Sequence, residues 1–469
     1  MRSVCILPGD AADPSFLKDG NAYYMVCTSL RRQPGLTIYR SEDLFHWTPL
    51  CQALTENVSE VWGTDLAKHN GRYYIFFPAL AKGMDTVGNS GTVFAISAER
   101  LEGPWSKPEQ MGVYGFIDPG FATDGEKSWL FFNRCSFAPL DESCLHITQQ
   151  PQKNRQVWPI PEDWETEGVW DEGPKIFQKN GWYYLLTAQG GTAGPATSHM
   201  AICYRAKHLE GPWELSPYNP VVHTYCAQED WWSIGHATYF EDLQGEAYFI
   251  YHGYRKDNHT EGRSCLLCKA RWTEDGWPVA YELDRPDSVY PDVFDDFSKE
   301  ALDLNWTFYE QLDPGRFQTG SGLTLKGAGS SLKDSCPLQY HNYFPECKVR
   351  VTVDTPEKDA GAGLAFYYNP KAYLGIYRQG DALYTDCQGV QTEVAKVFSG
   401  KLTLMAEKKG QVVSFSWQEE NGTLHTLKET FDVSGFHHNN YRGFTALMPS
   451  LTCFGEGSAH FEDFRYEKQ

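Results

Sequence analysis

NGRYYIFF, residues 70–77, reads as a tight turn at Gly71 followed by an apolar strand, and the chain carries this pattern five times. The counterparts are DGNAYYMV (19–26), DGEKSWLFF (124–132), NGWYYLLT (180–187) and QGEAYFIY (244–251). The turn glycines are separated by 51, 54, 56 and 64 residues. A turn dipeptide such as Asn-Gly ahead of alternating or fully apolar residues is a β-hairpin signal. Several units continue into another strand and a polar bend closed by tryptophan, as in IYRSEDLFHW to Trp47, AISAERLEGPW to Trp105, CYRAKHLEGPW to Trp213 and ARWTEDGW to Trp277. A repeat of about 50 residues with three or four strands is a β-propeller blade. Five units therefore predict a five-bladed propeller over residues 1–285. A β-sandwich needs no such period.

Composition agrees with an all-β chain. Aromatic residues make up 15% of the 469, alongside 42 Gly and 26 Pro, a profile of short strands and turns. With 61 acidic against 41 basic residues the net charge is -20, which repels nucleic acid and anionic membranes. Apolar residues at 41% are enough for sizeable cores and exclude disorder as the main state. No run of about 18 apolar residues occurs, so no membrane-spanning helix is expected. The start, MRSVCILPGDAADPS, has no apolar core of signal-peptide length, so a cytoplasmic location is expected, or secretion if a leader has been trimmed. The 13 cysteines are scattered and read as reduced thiols. Cys265 and Cys268 sit three apart on a strand, on opposite faces, and read as packing rather than metal ligands.

The hairpins also point to the chemistry. The strand entering each one begins at an ionisable residue: Asp13, Asp65, Asp118, Glu172 and His236. The entering strand is the one nearest the axis of a propeller, so these groups converge on one end of the axial channel. Converging carboxylates repel and raise one another's pKa, a cost in stability that suggests function. Two chemistries fit: Ca²⁺ held by hard oxygen ligands, or glycoside hydrolysis with one carboxylate as base and one protonated carboxyl as acid. Nearby aromatics, Trp62, Trp158, Trp164, Trp170 and the pair Trp231–Trp232, favour sugar, because aromatic faces stack on the C–H faces of pyranose rings.

GDAADPSF, VWGTDL, GFIDPGF, VWDEGPKI, AQGGT and SIGHA, in this order, resemble glycoside hydrolase family 43, in particular its β-xylosidases and α-L-arabinofuranosidases with a C-terminal β-sandwich. The resemblance implies a five-bladed propeller and an inverting enzyme acting on small oligosaccharides. It implies Asp13 as general base, Glu172 as general acid, and Asp118 as the carboxylate that tunes and orients the acid. It further implies Trp62, Thr192, Arg263 and His236 as substrate-pocket residues, with His236 beside a water-ligated Ca²⁺ on the axis. Trp232 is a further candidate sugar platform. No cofactor is required for the chemistry. Galactose in place of a pentose, and a sugar-binding propeller without catalysis, are the alternatives. A second copy of the chain as partner stays open.

The family's apolar T-S-S-F-E-W-F-P-G stretch is TSLRRQPG here, so Arg31, Arg32 and Gln33 are expected to bring donors to the pocket wall. Gln189 and Ala237 are further departures. The blade pattern ends near Leu283, and residues 286–293 read as a linker. From 294 to 469, alternating strands such as CKVRVTVD, GLAFYYN and VVSFSW read as a β-sandwich resembling the concanavalin-like domain of those enzymes. Residues 336–344, CPLQYHNYF, are expected to form the sandwich loop that closes the pocket. Asp296 and Asp463 are candidate ligands of a structural Ca²⁺.

Overall fold

The computed structural model describes residues 2–80, 91–357, 359–397 and 400–469, and the chain divides into two compact units. The first comprises residues 1–7, 11–256 and 263–288. It holds five antiparallel sheets, each led by the hairpin picked out above. Ser15–Asp19, Ala22–Val26, Gly35–Ser41 and Thr48–Leu54 form blade one. Asp65–His69, Arg72–Ala79, Thr92–Ala98 and Glu109–Tyr114 form blade two. Blade three runs from Gly120–Thr123 through Ser128–Phe132 and Ser136–Pro139 to Gln152–Lys153. Blade four contains Gly168–Lys179, Trp182–Gly190, Met200–Ala206 and the short strands Glu214–Leu215 and Val222–His223. Blade five contains Trp231–Glu241, Ala247–Arg255 and Ser264–Trp272. Val4–Leu7 from the N-terminus then pairs with that last strand, so the ring is closed by hydrogen bonds between the two ends of the repeat.

Apolar side chains fill the spaces between neighbouring blades. Val26, Leu36 and Ile38 of blade one meet Leu66, Ile75 and Phe77 of blade two. Tyr74, Phe76 and Ala95 meet Leu130 and Phe132 of blade three. Phe131 and Phe137 meet Met200, Ile202 and Tyr204 of blade four, and Leu186 and Cys203 meet Phe249 and Tyr251 of blade five. Phe240 of blade five stacks on Phe16 of blade one at 3.7 Å. The bend tryptophans are fastened alike: indole N–H groups of Trp47, Trp105 and Trp213 donate to the carbonyls of Leu44, Leu101 and Leu209 at 2.8–3.2 Å. The high aromatic content is therefore largely spent on blade packing, each buried ring contributing about 1.5–3 kcal/mol.

Strand pairing corrects the register read from the sequence. Ser15, Asp65, Gly120 and Lys175 pair with Val26, Phe76, Phe131 and Leu186, in each case eleven residues on. Those four are equivalent, and the equivalents of Asp13 and Asp118 two residues earlier are Gly63 and Gly173, not Asp65 and Glu172. Counting back from the turn glycine fails because the glycine does not hold one place in the turn: Gly20 and Gly125 follow Ser15 and Gly120 by five residues, whereas Gly71 and Gly181 follow Asp65 and Lys175 by six. Asp65 consequently does not face the channel as a reactive group. Its carboxylate pairs with Lys175 Nζ at 2.7 Å and accepts from Ser15 Oγ at 2.8 Å and the Phe121 N–H at 2.8 Å. Lys175 also donates to the Thr64 carbonyl at 2.6 Å. Blades one to four thus meet at one carboxylate, and Thr238 Oγ1 of blade five donates to the Pro14 carbonyl at 2.9 Å.

The second unit comprises residues 8–10, 257–262 and 289–469, and is two antiparallel sheets. In one, Ser458–Lys468 lies between Leu323–Lys326 and Cys347–Val353, followed by Leu402–Lys409, Val412–Glu419 and Leu424–Asp432. In the other, Gly361–Asn369 lies between Ala372–Gln379 and Met448–Phe454, and Leu338–Tyr340 joins Met448–Phe454 to Trp306–Tyr309. Val349, Val351, Leu404, Ala406, Val413 and Phe415 alternate into the core. Residues 336–344 are only in part the loop expected: Leu338–Tyr340 is a buried strand, and His341–Phe344 follow it outside any strand and are buried too. Asp296 accepts from the Ser298 N–H, and among the described residues no group of three His, Cys, Asp or Glu is placed to hold a metal.

Asp65→Ala leaves the Lys175 ammonium buried without its carboxylate, and should lower stability by about 3–5 kcal/mol. Thr238→Val, which removes one neutral hydrogen bond, should cost about 1 kcal/mol. Urea unfolding followed by tryptophan fluorescence measures both. Equal midpoints for the two variants would remove the axial carboxylate from its central place.

Candidate active site

The residues nearest the axis adopt an unusual backbone. Asp13, Asp118 and His236 have φ of 55°, 53° and 54°, and Gly173 has 63°. Non-glycine residues in this left-handed region cost about 1–3 kcal/mol each and cluster at functional sites. The ring is tight. A Cβ at Gly63 would lie 2.6 Å from Asp118 Oδ1, and one at Gly173 would lie 2.7 Å from the His236 ring. Glycine at two of five equivalent positions is what leaves room for two carboxylates and an imidazole at the others.

Asp13 is almost fully buried and held from several sides. Its Oδ1 lies 3.2 Å from Arg263 Nη1 and 3.2 Å from His236 Nδ1, and its Oδ2 accepts from Thr28 Oγ1 at 2.5 Å. The Asp13 backbone N–H donates to His252 Nδ1 at 3.1 Å, which calls for the tautomer protonated on Nε2; that N–H meets Thr192 Oγ1 at 3.1 Å. Burial, then the Arg263 charge, bring His252 down to about 4, so the imidazole is neutral near neutral pH. His199 stacks behind it at 5.1 Å. Burial pushes the Asp13 carboxyl up, but Arg263 first and then His236 outweigh it and hold the group well below the usual carboxylate range.

Glu172 has the opposite setting. It pairs with Ala188 between two register shifts in the hairpin of blade four, and such bulges re-aim a side chain. Burial comes first, then the Asp118 and Asp13 charges, and together they push Glu172 well above its ordinary value. Asp118 is raised as well, by burial and by Asp13 against the opposing pull of His236. A carboxyl that keeps its proton beside one that gives it up readily is an acid–base pair.

The residue before Glu172 was missed in the sequence. Asp171 is fully buried, with φ 46°. It pairs with Arg155 at 2.7 Å, both side chains having no exposure, and accepts from the Cys135 N–H, Thr187 Oγ1 and Tyr204 OH at 3.0–3.2 Å. Four partners clamp the backbone that carries Glu172. His252 and Thr28 were also missed. His252 lies within Ala247–Arg255 and Thr28 two residues past Ala22–Val26, the second hairpin strands of blades five and one, where the sequence pattern marks only apolar packing.

The remaining candidates divide. Thr192 and Arg263 are buried in the cluster through His252 and Asp13. Trp62 is half-buried and precedes Gly63 in the chain. Trp232 is half-buried with its indole N–H on the Ala227 carbonyl at 3.1 Å. Trp231 is not a sugar-facing partner to it: it is 5% exposed in the core between blades four and five, under Arg255 at 4.6 Å. Arg32 and Gln33 do not supply pocket donors as expected. Arg32 is turned onto the Thr28 and Ser29 carbonyls, and Gln33 Nε2 onto the Val58 carbonyl at 2.6 Å. Arg31 is half-exposed and pairs with Glu60 at 3.1 Å. Among the described residues His236 Nε2 has no hydrogen-bond partner.

Residues 3–278 match the family model for glycosyl hydrolases family 43, and residues 294–467 match the β-xylosidase C-terminal concanavalin A-like domain. A protein of Butyrivibrio fibrisolvens named xylosidase/arabinosidase is 24% identical over 98% of both chains. The non-reducing end α-L-arabinofuranosidase BoGH43B of Bacteroides ovatus is 29% identical over 65% of this chain and 60% of its own length. The crystal structure of the GH43 protein BlXynB from Bacillus licheniformis matches with a TM-score of 0.85 and 27% identity over 99% of both chains.

Two outcomes follow from the electrostatics. A carboxyl raised in the folded state destabilises the fold as pH climbs from the unfolded pKa, about 4.3, to the raised value. Glu172→Gln should therefore raise Tm at pH 7, with the gain fading as pH falls toward 4; calorimetry at both pH values checks the sign. Asp171→Asn should loosen the seat of Glu172. Its loss of kcat should be greatest on substrates with poor leaving groups, about 10-fold or more, and small on dinitrophenyl glycosides, whose leaving groups need little proton donation.

Proposed function

The chain belongs to glycosyl hydrolases family 43, and on that premise we propose that it is an inverting exo-glycosidase releasing a terminal pentose from oligosaccharides, as a β-xylosidase, an α-L-arabinofuranosidase or both. The observation that carries the mechanism is the opposed setting of two carboxyls in one cluster, Asp13 held low and Glu172 pushed high. Ionised Asp13 takes a proton from the water that attacks the anomeric carbon. Protonated Glu172 gives its proton to the departing glycosidic oxygen. A single displacement with the base and acid on opposite sides of the sugar inverts the anomeric configuration. The charges of Asp118 and Asp13 keep the proton on Glu172 until the leaving oxygen develops charge to take it.

The pentose rests on the relatives: one is named an α-L-arabinofuranosidase and another a xylosidase/arabinosidase. Trp62 and Trp232 flank the sugar, and Thr192 and Arg263 bind its hydroxyls while holding the base. The chemistry requires no cofactor. A Ca²⁺ on the axis would find one protein donor, His236 Nε2, where the ion prefers six to eight oxygens, so water would have to complete its shell and no step is routed through it.

A panel of nitrophenyl glycosides, with the product anomer followed by NMR from the first turnover, tests the reading. Cleavage of a xyloside or arabinofuranoside with inversion is expected. Asp13→Asn and Glu172→Gln should each lower kcat by about 10²–10⁴-fold, the usual worth of a positioned acid or base. Preference for a galactoside, a retained anomer, or full activity in either variant contradicts it.

A further inference from the structure

Blade four carries an aromatic ladder that the acid–base site does not use. Trp158 packs partly on the core between blades three and four. Trp164 meets it edge-on with ring centroids 6.1 Å apart, His223 stacks on Trp164 at 5.8 Å, and Tyr225 leans on His223 at 4.0 Å. The outer rungs are open, Trp164 being 38% and Tyr225 68% exposed. The main chain under both is held: the Tyr225 backbone N–H donates to Glu229 at 2.7 Å and the Trp164 backbone N–H to the Pro161 carbonyl at 3.0 Å. His223 is brought down to about 4 by burial, so the stack is uncharged near neutral pH.

Its place in the sheet is defined by pairing. Glu172 lies opposite Ala188, Ala188 opposite Ala201, and Ala201 opposite Val222, the neighbour of His223. The ladder therefore begins three strands outward from the acid, about 14 Å at the usual strand spacing, at the same end of the blade. A general acid protonates the leaving oxygen, so the leaving chain departs over the acid's blade. Exposed carboxylates neighbour the rings in the chain, Glu162, Asp163 and Glu165 beside Trp164 and Asp230 five residues after Tyr225. They accept hydrogen bonds from hydroxyls and repel anionic partners.

We propose that Trp164, His223 and Tyr225 form a binding surface for the leaving-group side of a neutral oligosaccharide, several sugars beyond the scissile bond. The inference rests on Glu172 being the acid, as proposed above. It deepens that reading by making the enzyme select for chain length.

The test compares kcat/KM on a disaccharide and a tetrasaccharide of the preferred sugar. Trp164→Ala combined with Tyr225→Ala should lower the tetrasaccharide-to-disaccharide ratio about tenfold, the factor that corresponds to about 1.4 kcal/mol of lost contact. Tyr225→Ala alone, at an exposed position, should lower it by a smaller factor. Trp164→Phe, which keeps a ring, should restore most of the ratio. A ratio unchanged in the double variant overturns the proposal. If the wild type cleaves no glycoside, the proposed function fails instead, and titration with xylotetraose and arabinotetraose decides the surface. Binding weakened about tenfold by the double substitution supports it; no binding, or binding left intact, overturns it.

Discussion

The propeller hangs on one buried carboxylate. Asp65 receives a hydroxyl from blade one, a backbone N–H from blade three and an ammonium from blade four, while itself belonging to blade two. Five sheets that share only side-to-side apolar contacts can slide against one another, since hydrophobic packing has no preferred direction. A carboxylate with three donors fixed in space has one geometry. It sets the height of blades one to four along the axis, and so of Asp13, Asp118 and Gly173, which stand two or three residues before the residues it joins, while the Thr238–Pro14 hydrogen bond ties blade five, and with it His236, to blade one.

The site above that anchor is expensive to fold. Left-handed aspartates, a carboxyl kept protonated by burial, and a histidine nitrogen without a partner all weaken the folded state. Closure of the ring through Val4–Leu7 and the dense aromatic packing between blades offset the cost. The same rigidity serves the chemistry. Asp13 is low because Arg263 and His236 cannot move away from it, and Glu172 is high because it is buried and because Asp171 and Arg155 hold it within reach of Asp118. One cluster thus holds two carboxyls in opposite protonation states.

The five hairpins and the closing tryptophans were legible in the sequence because each is a local pattern that recurs from blade to blade, and the three carboxylates were singled out by the family motifs around them. What was not legible is set by contacts across blades. Asp65 looks like Asp13 along the chain, and only the pairing of strands shows that it sits two residues further on and meets Lys175. Trp231 and Trp232 look alike, yet one is core and the other half-open, because adjacent strand residues face opposite ways. Arg32 and Gln33 suggested pocket donors, but their side chains bond to main-chain carbonyls, Arg32 to Thr28 and Ser29 and Gln33 to Val58. His252 and Asp171 matter through a backbone N–H and a buried ion pair, neither of which leaves a motif. Residues 336–344 suggested a loop, whereas the apolar stretch Leu338–Tyr340 finds a sheet to join.

The claim on which the chemistry stands is the split between two carboxyls. ¹³C NMR titration of the labelled carboxyl carbons, assigned through Asp13→Asn and Glu172→Gln, measures it directly. The account predicts Asp13 titrating below, and Glu172 above, the ordinary carboxyl values of about 4. Both groups titrating together near that value would contradict it.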